Sequence, residues 1–567
     1  MQPQYLKLNE LLQNRIFTVP EYQRPYSWES AQRQDLFEDI QKLMNKRDQS
    51  HHFMATVVAM NPRKLIPISI HEFNQIDLVD GQQRITSLVI LLNEIATKLA
   101  ASNEAAEKSA GDELKKLLVK QDNNTILLQT NHDSSGLLTN YLRGEPQWNK
   151  TPETLAERNL RNAVNESAAI SAKWSKANQI LDALRVIQNR LAFLYYELDD
   201  EGLVYSTFEV LNSRGRPVEW LDKTKSMLMG IIYDRFPKAY AAKFDESHRT
   251  WTKLYEIMGV KNISGDEILR FAATLRAEEQ PSRTLSAEAA YSRFRELAIE
   301  KPNQINTLMG FLVSTAESLK VLYDDSTRST LTNIAQARLL YLSISASRIL
   351  KDAEKKLLLD LWEKVTFLVY GLARRDSRTC VGDFVRLAYS IYNDETASVT
   401  DWINDLKAIA NGFDLTAEVD ALLKGRDCYT DWTNELRYFL FRYEQMLAAD
   451  SKIRSNHLVW SDIWSSNATE TIEHICPQTP SPEWVGALGK GRDVWVNNVN
   501  RLGNLILLPR GLNSEASNLP YKEKRKLYKK ANMLHHDEVI KVANWDRAAI
   551  EKRERGLRDF ALKTWKI

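Results

Sequence analysis

The sequence contains no run of about 18 apolar residues, the length a bilayer-spanning helix needs, and no membrane span is expected. Its opening stretch, MQPQYLKLNELLQN, lacks the basic-then-apolar pattern of a secretory signal. Cys380, Cys428 and Cys476 are few, odd in number and without metal-type spacing. That excludes a disulfide framework and a cysteine-built zinc site, and reduced thiols in a cytoplasmic protein are the expectation. An excess of one charge is missing too: 76 basic residues against 74 acidic ones leave a net charge of +2. Any nucleic-acid-binding face must therefore be local, and KEKRKLYKK at Lys522–Lys530 is the candidate. No internal repeat of about 20–50 residues stands out, which excludes solenoids and propellers.

What is present is a soluble globular composition, 43% hydrophobic and 26% charged, over 567 residues. That length is too great for one core and implies two or three domains. Tyr5–Gln13 reads as a short amphipathic helix, and Phe17–Glu29 (FTVPEYQRPYSWE) as an extended segment, because Pro20 and Pro25 restrict the backbone. The cluster Tyr22, Gln23, Arg24, Tyr26 and Trp28 within it is equally readable as a half-buried edge strand. Ser30–Asn45 has helical spacing. Ile76–Val79 alternates like a strand, Asp80-Gly81 forms a tight turn, and a strongly apolar helical pattern runs on from Ile85. Gly81 permits the turn, the helix start offers free N–H groups to an anion, and Arg84 adds a phosphate-matching fork. The turn matches neither common phosphate-loop pattern, and a purely structural turn stays open beside an anion site. From about Tyr233 to Asp450 apolar residues recur at helical spacing, with no titratable cluster on the polar faces, which reads as a helical connector.

The chemistry concentrates near the C-terminus. Thr469–Ile475 and Arg501–Leu508 read as strands, the second broken by Gly503. Asn513 follows Pro509-Arg510-Gly511, and a helix starts near Asn518 with Pro520 in its first turn. Strand, spacer, strand, turn, helix is the ββα-metal arrangement of HNH nucleases. Phosphodiester hydrolysis needs a base for water and a cation for the developing charge. His474 suits the base, Asn504 is expected to hold its imidazole through a side-chain carbonyl, and Glu473 and Asn513 suit Mg2+ or Mn2+. Lys522 and Lys524 are expected to contact DNA phosphates. Taken singly these are weak signals: a lone histidine is often structural, and Asn513 and Asn518 are equally turn or cap residues.

Six motifs together resemble the GmrSD family of modification-dependent (Type IV) restriction endonucleases. They are YQRPYSWE (Tyr22–Glu29), DGQQR (Asp80–Arg84), FEVLNSRGRPVEWLDKTK (Phe208–Lys225), EHICPQ, RLGNLILLPRGLNSEASN and YKEKRKLY. The resemblance implies a ParB-like N-terminal domain tied to nucleotide binding and hydrolysis, with GTP as the suggested nucleotide. It implies that Arg24, Asp80, Gly81, Gln82, Gln83 and Arg84 face a nucleotide or modified-DNA pocket. Asn212, Arg214 and Gly215 join it at a turn, and Asp222 and Lys225 open the next helix. The resulting expectation is a predominantly helical α+β protein. Its parts are a ParB-like domain over 1–232, a helical connector over 233–430 and an HNH-type nuclease domain over 431–567. Its function would be a nucleotide-responsive DNA endonuclease of anti-phage defence, nicking or cleaving modified phage DNA, with a homo-oligomer as a further candidate. The alternatives are an NTP-hydrolysing DNA-binding regulator and a toxin-like nuclease component without its own modification sensing. The chain departs from many HNH enzymes in having Glu473 rather than Asp, Asn513 rather than His, and no cysteine pairs. Trp484, Trp495 and Trp545 are expected to supply core bulk, and Cys476 packing.

Overall fold

The computed structural model describes residues 4–20, 23, 25–46, 51–120, 125–130, 135–198, 219–236, 239–259, 263–331, 333–423, 427–451, 457–479, 481–484, 486–489 and 492–567. Helix makes up 67% of it, beside a small mixed sheet, so the predominantly helical α+β class is correct. The chain packs as two compact units, one of residues 1–276 and 285–317, the other of 277–284 and 318–567. The helices between 233 and 430 are thus divided between the two units.

The first unit is built on a seven-stranded sheet: β1 (Gln4–Lys7), β2 (Arg15–Val19), β3 (His52–Met60), β4 (Leu65–Ile68), β5 (His71–Asp80), β6 (Leu128–Thr130) and β7 (Leu191–Leu198). The spatial order is β1-β7-β3-β5-β2-β6, with β4 pairing with β5. β7 pairs parallel with β3 and antiparallel with β1, placing its apolar run LAFLYYEL inside the sheet. That pairing also explains why Tyr5, expected in a helix, is in a strand: it faces Leu194 in the β1–β7 register. Helix α1 (Leu8–Leu12) follows and buries Leu8, Leu11 and Leu12. Helix α2 (Ser30–Asn45) has the expected limits and buries Leu36, Phe37, Ile40 and Leu43. Between β5 and helix α3 (Gln82–Ala100) stands Gly81 at φ 93°. A side chain there would be strained by that φ and would press within 3.0 Å of Val57 Cγ2.

The second unit is helical apart from β8 (Ile472–His474) and β9 (Leu505–Leu507), an antiparallel pair with Glu473 opposite Ile506 and His474 opposite Leu505. Both strands are shorter than their sequence pattern suggests. Ala468–Thr471 is helical because Asn467 and Glu470 form a capping box, and Leu502–Asn504 is a 3-10 turn. Arg510–Ala516 is a short helix, so Asn513 lies within a helix and not on a turn. Pro520 caps the helix Tyr521–Ala531 from just outside its first turn. β9 is braced by two buried histidines: the Leu507 N–H donates to His535 Nε2 at 3.3 Å, and His536 Nε2 lies 2.7 Å from the Leu507 carbonyl. Gly503 lies against the helix Arg547–Thr564 so closely that any Cβ would collide with the Ile550 carbonyl. Trp484, Trp495 and Trp545 are all buried. Their indole N–H groups donate to Leu519 O, Gln478 O and Asn504 Oδ1 respectively.

Candidate active site

Successive residues of a strand point to opposite faces, so Glu473 and His474 leave β8 in different directions. His474 is buried, and its Nε2 lies 2.9 Å from Asn500 Oδ1. The ring of Tyr429 stands edge-on to the imidazole, with centroids 4.5 Å apart. Burial lowers the His474 pKa to about 4, with Asn500 opposing the shift, so the ring is neutral near pH 7.

Asn504 does not hold this ring. It is fully buried and spends both ends of its amide on the chain around it. Oδ1 accepts from the Cys476 N–H at 2.8 Å and from Trp545 Nε1 at 3.0 Å, while Nδ2 donates to the carbonyls of Cys476 and Val499 at 2.8 and 2.7 Å. Asn504 thereby ties the segment after β8 to the segment before β9. The residue that meets the imidazole is Asn500, which the sequence reading passed over. Its position in the NNVN run gives no signal, because the register of the loop decides which asparagine faces the ring. Cys476 is also buried, and burial raises its thiol to about 12, in keeping with packing.

Glu473 points inward. Its Oε1 accepts from Lys524 Nζ at 2.7 Å and from the Tyr528 hydroxyl at 2.9 Å. Lys524 is fully buried and also donates to the His474 carbonyl at 2.7 Å. Lys524, expected at a DNA phosphate, is therefore placed inside the unit; its position on the helix turns it toward β8. Burial raises the Glu473 carboxyl and lowers the Lys524 ammonium, each opposed by the other's charge. Lys522 is exposed on the opposite face, as are Lys529 and Lys530. Asn513 is half-buried, and its Nδ2 donates to the carbonyls of Glu470 and Ile472 at 2.7 and 3.4 Å. Of the donors expected for a divalent cation, Glu473 has its Oε1 spent on Lys524 and Tyr528, and Asn513 has its Nδ2 spent on backbone carbonyls. Among the described residues, no group of three or more His, Cys, Asp or Glu side chains is placed to hold a metal ion.

In the first unit, the motif around Tyr26 and the motif Asp80–Arg84 meet in space. Gln83 accepts from the Ser27 N–H at 2.8 Å and donates to the Pro25 carbonyl at 3.1 Å. Gln23 donates to the Val79 carbonyl at 2.6 Å, and the Tyr26 and Ser87 hydroxyls lie 2.8 Å apart. Arg33 donates to the Trp28 carbonyl and pairs with both oxygens of Glu166. Gln83 thus joins the two motifs. Gln82 is buried beside it. Asp80 Oδ1 accepts from the Gly81 N–H at 2.7 Å, closing the turn. Arg84 lies over the Trp28 ring, 5.8 Å from its centroid; burial lowers its pKa against the charge of Asp80. In the third motif, Asp222 accepts from the Tyr255 hydroxyl at 2.6 Å and Lys225 is buried over the same ring. Tyr22, Arg24, Asn212, Arg214 and Gly215 lie outside the described residues.

Two family descriptions match the chain. Residues 8–229 match the GmrSD restriction endonuclease N-terminal domain, and residues 416–560 match the GmrSD restriction endonuclease C-terminal domain. No curated protein matches it.

Proposed function

The chain belongs to the GmrSD restriction endonuclease family, a DNA endonuclease of a Type IV restriction system, and from that premise we propose that it cuts DNA at His474. The observation that carries this reading is a neutral imidazole held at one nitrogen by Asn500 and packed against the Tyr429 ring. A histidine so placed takes the proton of a water attacking a phosphodiester. The exposed face bearing Lys522, Lys529 and Lys530 supplies phosphate contacts, which position DNA without reading its sequence. This is the HNH-type chemistry expected for the C-terminal part. The N-terminal part, of the ParB-like kind expected, would sense modified phage DNA, bind and hydrolyse an NTP such as GTP, or do both, around Asp80, Gly81, Gln82 and Arg84. The homo-oligomer expectation and a cytoplasmic setting belong to the same proposal. A Mg2+ or Mn2+ requirement is part of it too, with Glu473 Oε1 already taken by Lys524 and Tyr528.

A second reading, an NTP-hydrolysing regulator that binds DNA without cutting it, is favoured by that same occupied carboxylate. One experiment separates them. Wild-type and His474→Ala chains are incubated with unmodified, glucosylated hydroxymethylcytosine-bearing and phosphorothioated phage DNA, with and without each NTP, in Mg2+ or in chelator. Cleavage by the wild type that His474→Ala abolishes, with NTP hydrolysis retained, supports the endonuclease. Equal cutting by both chains overturns the His474 assignment.

A further inference from the structure

The loop Asp427–Thr430 meets the His474 site twice, through the Tyr429 ring and through the Asp427 carboxylate. Asp427 Oδ1 accepts the N–H groups of Tyr429 and Thr430 at 2.9 and 2.7 Å, and Oδ2 accepts the Thr430 hydroxyl at 2.9 Å and Asn500 Nδ2 at 2.7 Å. Burial opposes the ionised form, but these donors hold the Asp427 carboxyl below its usual range. An ionised carboxylate only accepts, so the end of the Asn500 amide that faces it must be the NH2 group. The carbonyl end is then the one presented to His474 Nε2 at 2.9 Å. An amide oxygen also only accepts, so Nε2 must carry the hydrogen and Nδ1 the lone pair. The backbone fixes the same geometry, since the Cys428 N–H donates to the Asn500 carbonyl at 3.0 Å.

We propose that Asp427 and Asn500 are positioning residues that set the His474 tautomer, holding the proton on Nε2 and directing the basic Nδ1 to the attacking water. The water's proton goes to Nδ1, giving an imidazolium whose Nε2–H remains on Asn500 and whose charge is stabilised through that amide by Asp427. The activity consequence rests on His474 being the base; the tautomer does not.

The test is a swap that moves the carboxylate from position 427 to position 500. In Asp427→Asn the turn N–H groups keep the new carbonyl, so an NH2 group faces Asn500. The Asn500 amide then flips, presents NH2 to His474 and moves the proton to Nδ1. In the double variant Asp427→Asn/Asn500→Asp, the carboxylate introduced at position 500 accepts from the amide introduced at position 427 and from Nε2, restoring the original tautomer. The full chain is labelled with [15N]histidine and the His474 ring signals are assigned by their loss in His474→Gln. The expected result is Nε2-protonated His474 in the wild type and the double variant, and Nδ1-protonated His474 in Asp427→Asn. Turnover on the DNA the wild type cuts best should fall by about 100-fold or more in Asp427→Asn, with KM unchanged, and recover in the double variant. An Nε2-protonated His474 in Asp427→Asn overturns the inference whatever happens to cleavage. A switched tautomer with undiminished cleavage upholds the inference and overturns the reading of His474 as the base. Should Asp427→Asn fail to fold, Asn500→Leu carries the same test: with no acceptor present, a single Nε2-protonated form would overturn the inference and a mixture of tautomers would support it.

Discussion

Lys524 meets Glu473 at 2.7 Å inside the second unit, with both side chains closed to solvent. A helix that looks basic from its sequence therefore turns one lysine inward against β8 and leaves Lys522 on the surface. Removing one partner of a buried pair leaves the other charge uncompensated, which costs about 3–5 kcal/mol. Lys524→Ala should lower unfolding stability by that order, whereas Lys522→Ala should change it by less than about 0.5 kcal/mol. Chemical denaturation of the two variants decides the matter, and equal stabilities would contradict the inward placement.

Asn504 has a comparable structural weight. Asn504→Ala strands the Cys476 N–H and the Trp545 indole N–H, each at about 1–3 kcal/mol if left unpaired. The expected result is a lowered melting temperature with the His474 ring signals keeping their wild-type tautomer. A wild-type melting temperature would show that these bonds are not made in solution.

In the first unit, Gln83 and Arg84 are adjacent but should fail differently. Gln83→Ala removes both bonds to the segment 25–27 and should cost about 1–2 kcal/mol of stability. Arg84→Ala leaves those bonds intact and should lower NTP binding or turnover at near-wild-type stability. Thermal unfolding and NTP hydrolysis measured on both chains separate the two roles; matching losses of stability would remove the distinction.

Acidification should weaken the second unit in two steps. Burial lowers His536 from about 6.5 to about 3, so the unfolded chain takes up this proton first, and stability is lost as pH falls from 6.5 toward 3. Burial would raise Glu444, but its hydrogen bonds with the His535 ring and with the Leu534 and His535 N–H groups hold it at about 2. Its contribution is present above about 4.5 and lost between 4.5 and 2. Together they should cost a few kcal/mol by about pH 4. His536→Gln should shrink the upper window, to which His474 also contributes because burial holds it at about 4, and should leave the lower one, as measured by denaturation across pH 7 to 3.

The elements built on local signals were legible in order and type. Ser30–Asn45, the strand–Gly81–helix passage and the paired short strands of the second unit follow from periodicity and from glycine. β3 and β7 were not read, because a buried central strand such as LAFLYYEL shows no alternation that separates it from a helix segment. Of the candidate site, His474 and its neighbours were located, but the partners were not. Asn500 and Asn504 are alike in composition and stand four positions apart; only the path of the loop sends one to the imidazole and the other into the backbone.

Residue types alone gave the chemical inventory: a family-bearing pair of terminal regions, a glycine turn after β5, and His474 beside Glu473 with asparagines and lysines following it. Those follow from residue type and local spacing, which act over a few positions. Tertiary structure decided the assignments between distant residues. Asp427 reaches His474 through Asn500, Lys524 neutralises Glu473 instead of reaching solvent, and Gln83 locks the first motif to the second. Hydrogen bonds and ion pairs depend on distances of about 3 Å between groups far apart in the chain, and only packing brings such groups together.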